Sequence, residues 1–308
     1  MKSNYILVTG GSGMVGKSLQ EILPEADYYS SKELNLLKES TVKFHMRRKK
    51  YDTVIHLAAK VGGIIDNINK PAEYFEDNVI MNTNILKWSR LTGVKRFIGI
   101  LSTCIYPDVA DKYPMTEDTL HDGPPTPTNF SYGYAKRALA VQIDAYNKQY
   151  GTNYQYLIPC NLYGEYDKWG ENSHFVAALI KKLAEADKAN EDTVQLFGTG
   201  KPLRQFMYAG DLARVIKHVI DNDITESFNV SVDENLSIHE IAELTRKVYN
   251  KICPLRPIKG FEYDSTKPDG QYRKDVSNEK MLSLIPDFKF TSLEEGVKNT
   301  IIKVITEL

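Results

Sequence analysis

Cysteine is scarce in this chain of 308 residues: Cys104, Cys160 and Cys253 are widely spread and odd in number. Such a set makes no disulfide framework and points to a reducing compartment, with the cytoplasm as the expected location. Charge of one sign is missing too, since 39 basic residues stand against 40 acidic ones. No global field therefore recruits nucleic acid or a membrane, and an anionic ligand must be held by helix N-termini and a few placed Lys or Arg. No apolar run approaches the ~20 residues that span a bilayer. The stretch MKSNYILVTG passes at once into a strand and a glycine turn, without the pattern of a secretory leader. Hydrophobic residues at 42% and charged residues at 26% are ordinary globular proportions and exclude a disordered or fibrous chain. Internal repeats and low-complexity linkers are also absent, and no metal site is expected.

What is present is an alternation. YILVTG, DYYSS, DTVIHLAA and RFIGILS are short apolar runs separated by amphipathic stretches such as VGKSLQEIL. This is the rhythm of βαβ units, and it predicts a doubly wound parallel α/β sheet with functional groups at the carboxyl ends of its strands. Beyond about position 159 the pattern loosens into a polar loop around YGEYDKWGENSH, a helix through AALIKKLAEA and a strand VQLFGTG. RQFMYAGDLARVIKHVI and SFNVS read as a return to the main sheet, and SIHEIAELTRKVYN as a capped amphipathic helix. The expected division is a nucleotide-binding domain over 1–159, rejoined by 204–230, and a smaller substrate-binding lobe from 160–203 and 231–308. The basic run RRKK at 47–50 reads as a solvated helix end complementing the helix dipole, not as a nucleic-acid patch.

GGSGMVG follows the first strand and opens a helix, with Gly10, Gly13 and Gly16 spaced by three. In such a turn one glycine permits the bend, the next admits a pyrophosphate to the backbone NH groups, and the last lets helix and strand pack closely. A site for NAD usually places an acid at the end of the second strand to receive the ribose hydroxyls. Here that strand ends Tyr28-Tyr29-Ser30-Ser31-Lys32, whose hydroxyls and ammonium suit a 2'-phosphate, so NADP(H) is expected. Glu33 or Asp27 could still supply an acid, and the segment could be a plain surface turn.

Tyr132 and Lys136 are four residues apart in the helical stretch NFSYGYAKRALAVQIDAYN and share one helix face. An ammonium beside a phenol lowers its proton affinity and makes it a usable acid at neutral pH. Tyr134, two residues from Lys136, points elsewhere. The preceding strand RFIGILSTCIYP ends in Ser102-Thr103-Cys104 at the sheet edge where substrates should sit. Ser102 would donate to a substrate carbonyl, Tyr132 would deliver the proton, and Lys136 would also hold the nicotinamide ribose. A strand-end serine or an i, i+4 Tyr/Lys pair alone is commonplace; the three parts in this order are far more specific.

With these residues in view, the chain resembles the extended short-chain dehydrogenases/reductases that act on nucleotide sugars, and among them the epimerase-reductases of GDP-4-keto-6-deoxymannose. The likeness is carried by VTGGSGMVGKSL, SSKELNLL, VIHLAAKVGGI, LSTCIYPD, GPPTPTNFSYGYAKR, IPCNLYGEYD, NSHFVAAL, GTGKPLRQF and STKPDGQYRKDVSN. It implies a Rossmann sheet and three steps in one pocket: inversion at carbon 3, inversion at carbon 5, then hydride transfer from NADPH to the carbon 4 ketone. It further implies that Cys104 and His174 are the proton-transfer pair of the inversions, with Cys as base and His as acid. Read alone, either could be structural.

The same likeness implies cofactor contacts from Ser12, Met14, Val15, Leu57, Ala58, Ala59, Pro159, Asn161, Leu162 and His174, beside the glycines, Ser30, Ser31, Lys32, Tyr132 and Lys136. For the GDP-sugar it implies Gly62, Ser102, Cys104, Asn161, Lys182, Phe197, Arg204 and Lys274, the last two meeting the diphosphate or the sugar. It also implies a homodimer built on a helix bundle that includes the Tyr132 helix. Three departures stand out: Cys160 in place of Thr, Phe197 in place of Trp, and YDKWG in place of HDNF. Rival expectations are a GDP-sugar 4-reductase, another nucleotide-sugar epimerase, and a catalytically silent NADP-binding regulator.

Overall fold

The computed structural model describes residues 5–168 and 173–307, so residues 169–172 of the expected polar loop lie outside the described residues. The strands are β1 (Ile6–Thr9), β2 (Asp27–Tyr29), β3 (Thr53–His56), β4 (Arg96–Ile100), β5 (Asn153–Pro159), β6 (Asn161–Tyr163), β7 (Thr193–Phe197), β8 (Leu203–Arg204), β9 (Phe206–Tyr208), β10 (Phe228–Val230), β11 (Leu236–Ser237) and β12 (Gly260–Asp264). The helices are α1 (Met14–Ile22), α2 (Glu39–Arg48), α3 (Ile64–Asn69), α4 (Pro71–Leu91), α5 (Phe130–Tyr150), α6 (Phe175–Ala189), α7 (Ala209–Asp221), α8 (Ile238–Ile252), α9 (Glu279–Leu284) and α10 (Leu293–Glu307).

Six strands form one parallel sheet in the order β10-β5-β4-β3-β1-β2. Its central strands β1, β3 and β4 are buried at every position, as a sheet covered by helices on both faces requires. One face packs Leu7, Val54, Phe97 and Ile158 with Ile85, Leu86, Leu139 and Ile143 of α4 and α5. The other packs Val8, Ile55, Ile98 and Leu157 with Leu19 of α1 and Leu212, Val215 and Ile216 of α7. Because all six strands run the same way, Thr9, Tyr29, His56, Ile100, Pro159 and Val230 end along a single edge.

A third cluster gathers Val176, Ile180 and Leu183 of α6, Ile241 and Val248 of α8, and Val297 and Ile301 of α10. Three two-stranded pairs, β11 with β8, β12 with β7 and β6 with β9, extend this side of the molecule. Within 231–308 the short helix α9 behaves differently, for Met281 and Ile285 pack into the α1 and α7 face of the main sheet. RRKK ends α2, and Lys49 turns back to Asp27 at 2.6 Å. Ser237 and Glu240 close the N-terminus of α8 as a capping box. Among the described residues no helix is long and apolar enough to cross a membrane.

Candidate active site

The glycine turn is shaped by close backbone approach. Gly10 has φ +73°, and a Cβ on it would lie 2.8 Å from the Ala58 nitrogen. A Cβ on Gly16 would meet the Gly10 carbonyl oxygen at 2.6 Å and the Gly11 Cα at 2.7 Å. Only glycine keeps helix, turn and strand this close. Gly13 caps α1 without a side-chain hydrogen bond, so the first NH groups of the helix, beside exposed Ser12 and half-buried Met14 and Val15, are open to an anion. Leu57 and Ala58 line the turn from the end of β3, with Ala59 next in the chain, and the Leu57 NH donates to the Thr9 carbonyl at 3.2 Å. This cradle fits a dinucleotide pyrophosphate.

The two acids left open at the second strand are both occupied. Asp27 stands at the start of β2, away from the ligand edge, and binds Lys49 and the Tyr51 hydroxyl at 2.6 and 2.8 Å. Glu33 accepts from the Ser30 NH at 2.9 Å and from its hydroxyl at 2.7 Å, closing the turn that carries Ser31 and Lys32. Those bonds hold the Glu33 carboxyl below its ordinary range. Ser31 and Lys32 are exposed beside it.

At the end of β4 the chain turns into a short 3-10 helix, Thr103–Ile105, whose first turn is capped by the Ser102 hydroxyl accepting from the Cys104 NH at 3.3 Å. This cap sets Ser102 and Cys104 together beyond the carboxyl end of β4, where both are half-buried. Helix α5 brings Tyr132 and Lys136 alongside. Tyr134 lies apart, edge-to-face with Phe130 at a centroid distance of 4.7 Å. Lys136 is buried and donates to the Ile100 carbonyl at 2.7 Å, and burial brings its pKa down to about 8.

The expected lowering of the phenol by Lys136 is corrected here. Burial, with the nearby Cys104, pushes Tyr132 well above its ordinary value, and the hydrogen bond with Ser102 only partly opposes this. Lys136 spends one N–H on the Ile100 carbonyl, and burial keeps the Tyr132 phenol protonated and available as a donor.

Cys104 has cationic company. Burial alone would raise its thiol, but Lys274, Ser102 and Arg204 together outweigh this and hold it below its ordinary value. The Lys274 Nζ lies 3.7 Å from the Cys104 Sγ. Lys274 and Arg204, expected at a diphosphate or sugar, thus converge on the sulfur. Gly270 joins them to the Gly62 loop, since a Cβ there would stand 3.2 Å from Ile64 and 3.7 Å from Arg204. Gly62 is itself tightly packed, its Cβ position lying 2.1 Å from the Tyr74 hydroxyl.

His174 is held separately, at the N-terminus of α6. Its Nδ1 is 2.8 Å from the Asp167 Oδ1, and that carboxylate is almost wholly buried, with 2% of its side chain exposed. A carboxylate only accepts, so Nδ1 carries the hydrogen and Nε2 is left as the other ring nitrogen. Asp167 is the site residue that sequence reasoning missed; its only signal was its place in the YDKWG segment. Pro159 ends β5 and Leu162 lies in β6. The Asn161 amide donates to the Gln205 carbonyl at 2.8 Å, which spends that NH on pinning β6 to the β8–β9 junction and not on a ligand. Lys182 stands 4.8 Å from the Phe197 ring centroid, Lys267 stands 5.8 Å from it, and the ring itself is 56% exposed.

Comparison with known proteins agrees with this geometry. Residues 6–231 match the NAD dependent epimerase/dehydratase family. The chain is 37% identical to the GDP-L-fucose synthase of Dictyostelium discoideum, covering 96% of this chain and 93% of that protein. It is 36% identical to the probable GDP-L-fucose synthase of Drosophila melanogaster, covering 96% and 95%. A crystal structure of a GDP-L-fucose synthetase from Naegleria fowleri bound to NADP superimposes with a TM-score of 0.89 at 34% identity, over 100% of this chain and 94% of that one. A glycine cradle at the head of a parallel sheet, a Ser/Tyr/Lys group at the strand edge beside it, and a family match spanning both make this chain a member of the NAD dependent epimerase/dehydratase family.

Proposed function

We infer that this chain is a GDP-L-fucose synthase, converting GDP-4-keto-6-deoxy-D-mannose to GDP-L-fucose by inversion at carbons 3 and 5 and NADPH-dependent reduction of the 4-ketone. One observation carries the reading: Ser102, Cys104 and Tyr132 lie together at the carboxyl edge of β4, an arrangement that would let a reducing group and a proton-abstracting group act on one ligand. Extensive likeness to synthases of that name supports it.

NADPH, when bound, supplies the hydride. Ser12, Gly13 and the first NH groups of α1 would hold its pyrophosphate, and Ser30, Ser31 and Lys32 its 2'-phosphate. Lys136 would hold the ribose, with Pro159, Asn161 and Leu162 around the nicotinamide. The protons next to the 4-ketone are acidic enough to remove if the electron pair left behind can settle on the carbonyl oxygen. The Cys104 thiolate takes such a proton, forming S–H as C–H breaks, while the hydroxyls of Ser102 and Tyr132 receive the enolate oxygen. His174, acting as the imidazolium with Nδ1–H held by Asp167, returns the proton on Nε2 to the opposite face, which inverts the carbon and leaves the neutral ring with its hydrogen on Nδ1. In the reduction the Tyr132 phenol gives its proton to the oxygen at carbon 4. Phe197 and Lys182 would receive the nucleotide end of the substrate. The substrate side would be formed by 160–203 and 231–308, against the cofactor domain of 1–159 and 204–230. The protein would act as a cytoplasmic homodimer.

The decisive assay offers purified protein GDP-4-keto-6-deoxy-D-mannose with NADPH in deuterated water and follows cofactor oxidation, product identity and deuterium at carbons 3 and 5. Cys104→Ser should suppress deuterium incorporation while leaving NADPH binding intact. Undiminished exchange removes Cys104 from the base role. A reduced but uninverted product from the wild type would favour a GDP-sugar 4-reductase.

A further inference from the structure

Lys274 lies 170 positions from Cys104 in the chain, yet its ammonium is the group that touches the sulfur. Arg204 of β8 adds a second positive charge that acts on the same thiol. The nearby carboxylates Asp275 and Asp269 also have other partners, though Asp269 still bears on Arg204. Asp275, beside Lys274, pairs with Arg273 at 2.6 Å, and Asp269, the acid facing Arg204, accepts from the Thr199 NH and hydroxyl at 2.6 and 2.7 Å. Burial lowers the proton affinity of both Lys274 and Arg204, and Cys104 opposes this for each; half-buried cations are costly unless an anion stands among them.

The candidates for that anion can be taken in turn. Tyr132 of α5 faces Cys104, but burial keeps its phenol protonated. Cys160, after the end of β5, also faces Lys274, but burial pushes its thiol up to about 12. Ser102, in the same turn as Cys104, does not ionise. Among the described residues Cys104 is the acidic group that acts on both cations, ahead of Asp269 on Arg204.

We propose that Lys274 is the counter-ion of Cys104: it positions the sulfur and holds it as a thiolate in the resting protein, before any substrate arrives, with Arg204 in support. Lys274 is thus a positioning residue that works through the base, not solely a contact for the ligand's diphosphate. The inference deepens the epimerase-reductase reading and rests on it for catalytic meaning, but the ionisation of Cys104 is measured without sugar or cofactor.

The test uses the full-length protein alone. The rate of iodoacetamide alkylation at Cys104 is followed against pH by mass spectrometry of the Cys104 peptide, which separates it from Cys160 and Cys253, with ultraviolet thiolate absorbance in parallel. In the wild type the midpoint should fall below the ~8.5 of a free thiol. Lys274→Met should raise it by about one pH unit or more, a tenfold loss of thiolate at neutral pH, and Lys274→Arg should restore most of the difference. A purely structural lysine would leave the midpoint where it was. A wild-type midpoint at the free-thiol value, or one that Lys274→Met does not move, overturns the proposal. The wild-type curve decides even if Lys274→Met fails to fold. Failure of the sugar assay with an acidic Cys104 midpoint would refute the substrate and leave the ion pair standing.

Discussion

At the scale of single residues, what matters is who a side chain meets. The pair of His174 and Asp167 illustrates it: a nearly buried carboxylate fixes the ring nitrogen that keeps the hydrogen. Asp167→Asn keeps the shape and offers an amide that can present either a donor or an acceptor. It should slow deuterium return to the sugar roughly tenfold or more, a part of the ~10²–10⁴-fold that general acid-base catalysis contributes. NADPH affinity should be unchanged, and the nitrogen-15 shifts of the His174 ring should report a changed tautomer balance. A ring spectrum identical to the wild type would show that Asp167 does not set it. The sequence placed His174 in a polar loop or at a helix start, and it caps α6, but its partner was not visible. Residue types with i, i+4 spacing reveal a shared helix face, but a loop carries no such periodicity. Tyr132 shows the complementary error. Its spacing from Lys136 was legible, whereas the commitment of that ammonium to the Ile100 carbonyl was not.

At the scale of elements, strand ends and the glycine turn are tied by a buried polar chain. The His56 Nδ1 lies 2.8 Å from the Thr9 hydroxyl and its Nε2 lies 2.9 Å from the Asn82 carbonyl oxygen, while the Asn82 amide donates to the Ala135 carbonyl in α5 at 3.4 Å. The chain joins β1, β3, α4 and the helix of Tyr132 and Lys136. Since the Asn82 oxygen must accept, Nε2 carries the hydrogen and Thr9 donates to Nδ1. Burial, and then the charge of Lys136, bring the His56 pKa down to about 3 from 6.5. The folded protein therefore binds this proton less readily than the unfolded chain. Stability from this group is complete above about pH 6.5 and falls as the pH drops toward 3, by ~1.4 kcal/mol per pH unit. Urea unfolding at pH 7 and pH 4.5 should show a larger acid loss in the wild type than in His56→Asn. Equal losses would mean that the acid response lies elsewhere. HLAA was visible as the end of a strand in the sequence, but alternation cannot say that its histidine would be neutral and bonded at both nitrogens.

At the scale of the whole molecule, α4 and α5 pack on each other across one face of the sheet. They leave Phe75, Leu91, Val141 and Tyr150 exposed at 44%, 47%, 51% and 45%. Large apolar side chains on neighbouring surface helices suit the proposed homodimer. Sedimentation should find twice the 35.0 kDa of one chain, and Val141→Glu should shift the population to monomer. A wild type that sediments as a single chain at micromolar concentration would dispose of the dimer.

The sequence by itself determined the parallel sheet, the cofactor turn and the Ser102, Tyr132 and Lys136 group, because each is written in a few neighbouring residues as alternation, turn chemistry or helical spacing. Only the tertiary structure decided which cations stand on Cys104, which acid holds His174, and that Met281 and Ile285 pack on the main sheet. Lys274 reaches Cys104 across 170 positions, and a contact of that range exists only once the loops between are closed and both faces of the sheet are packed.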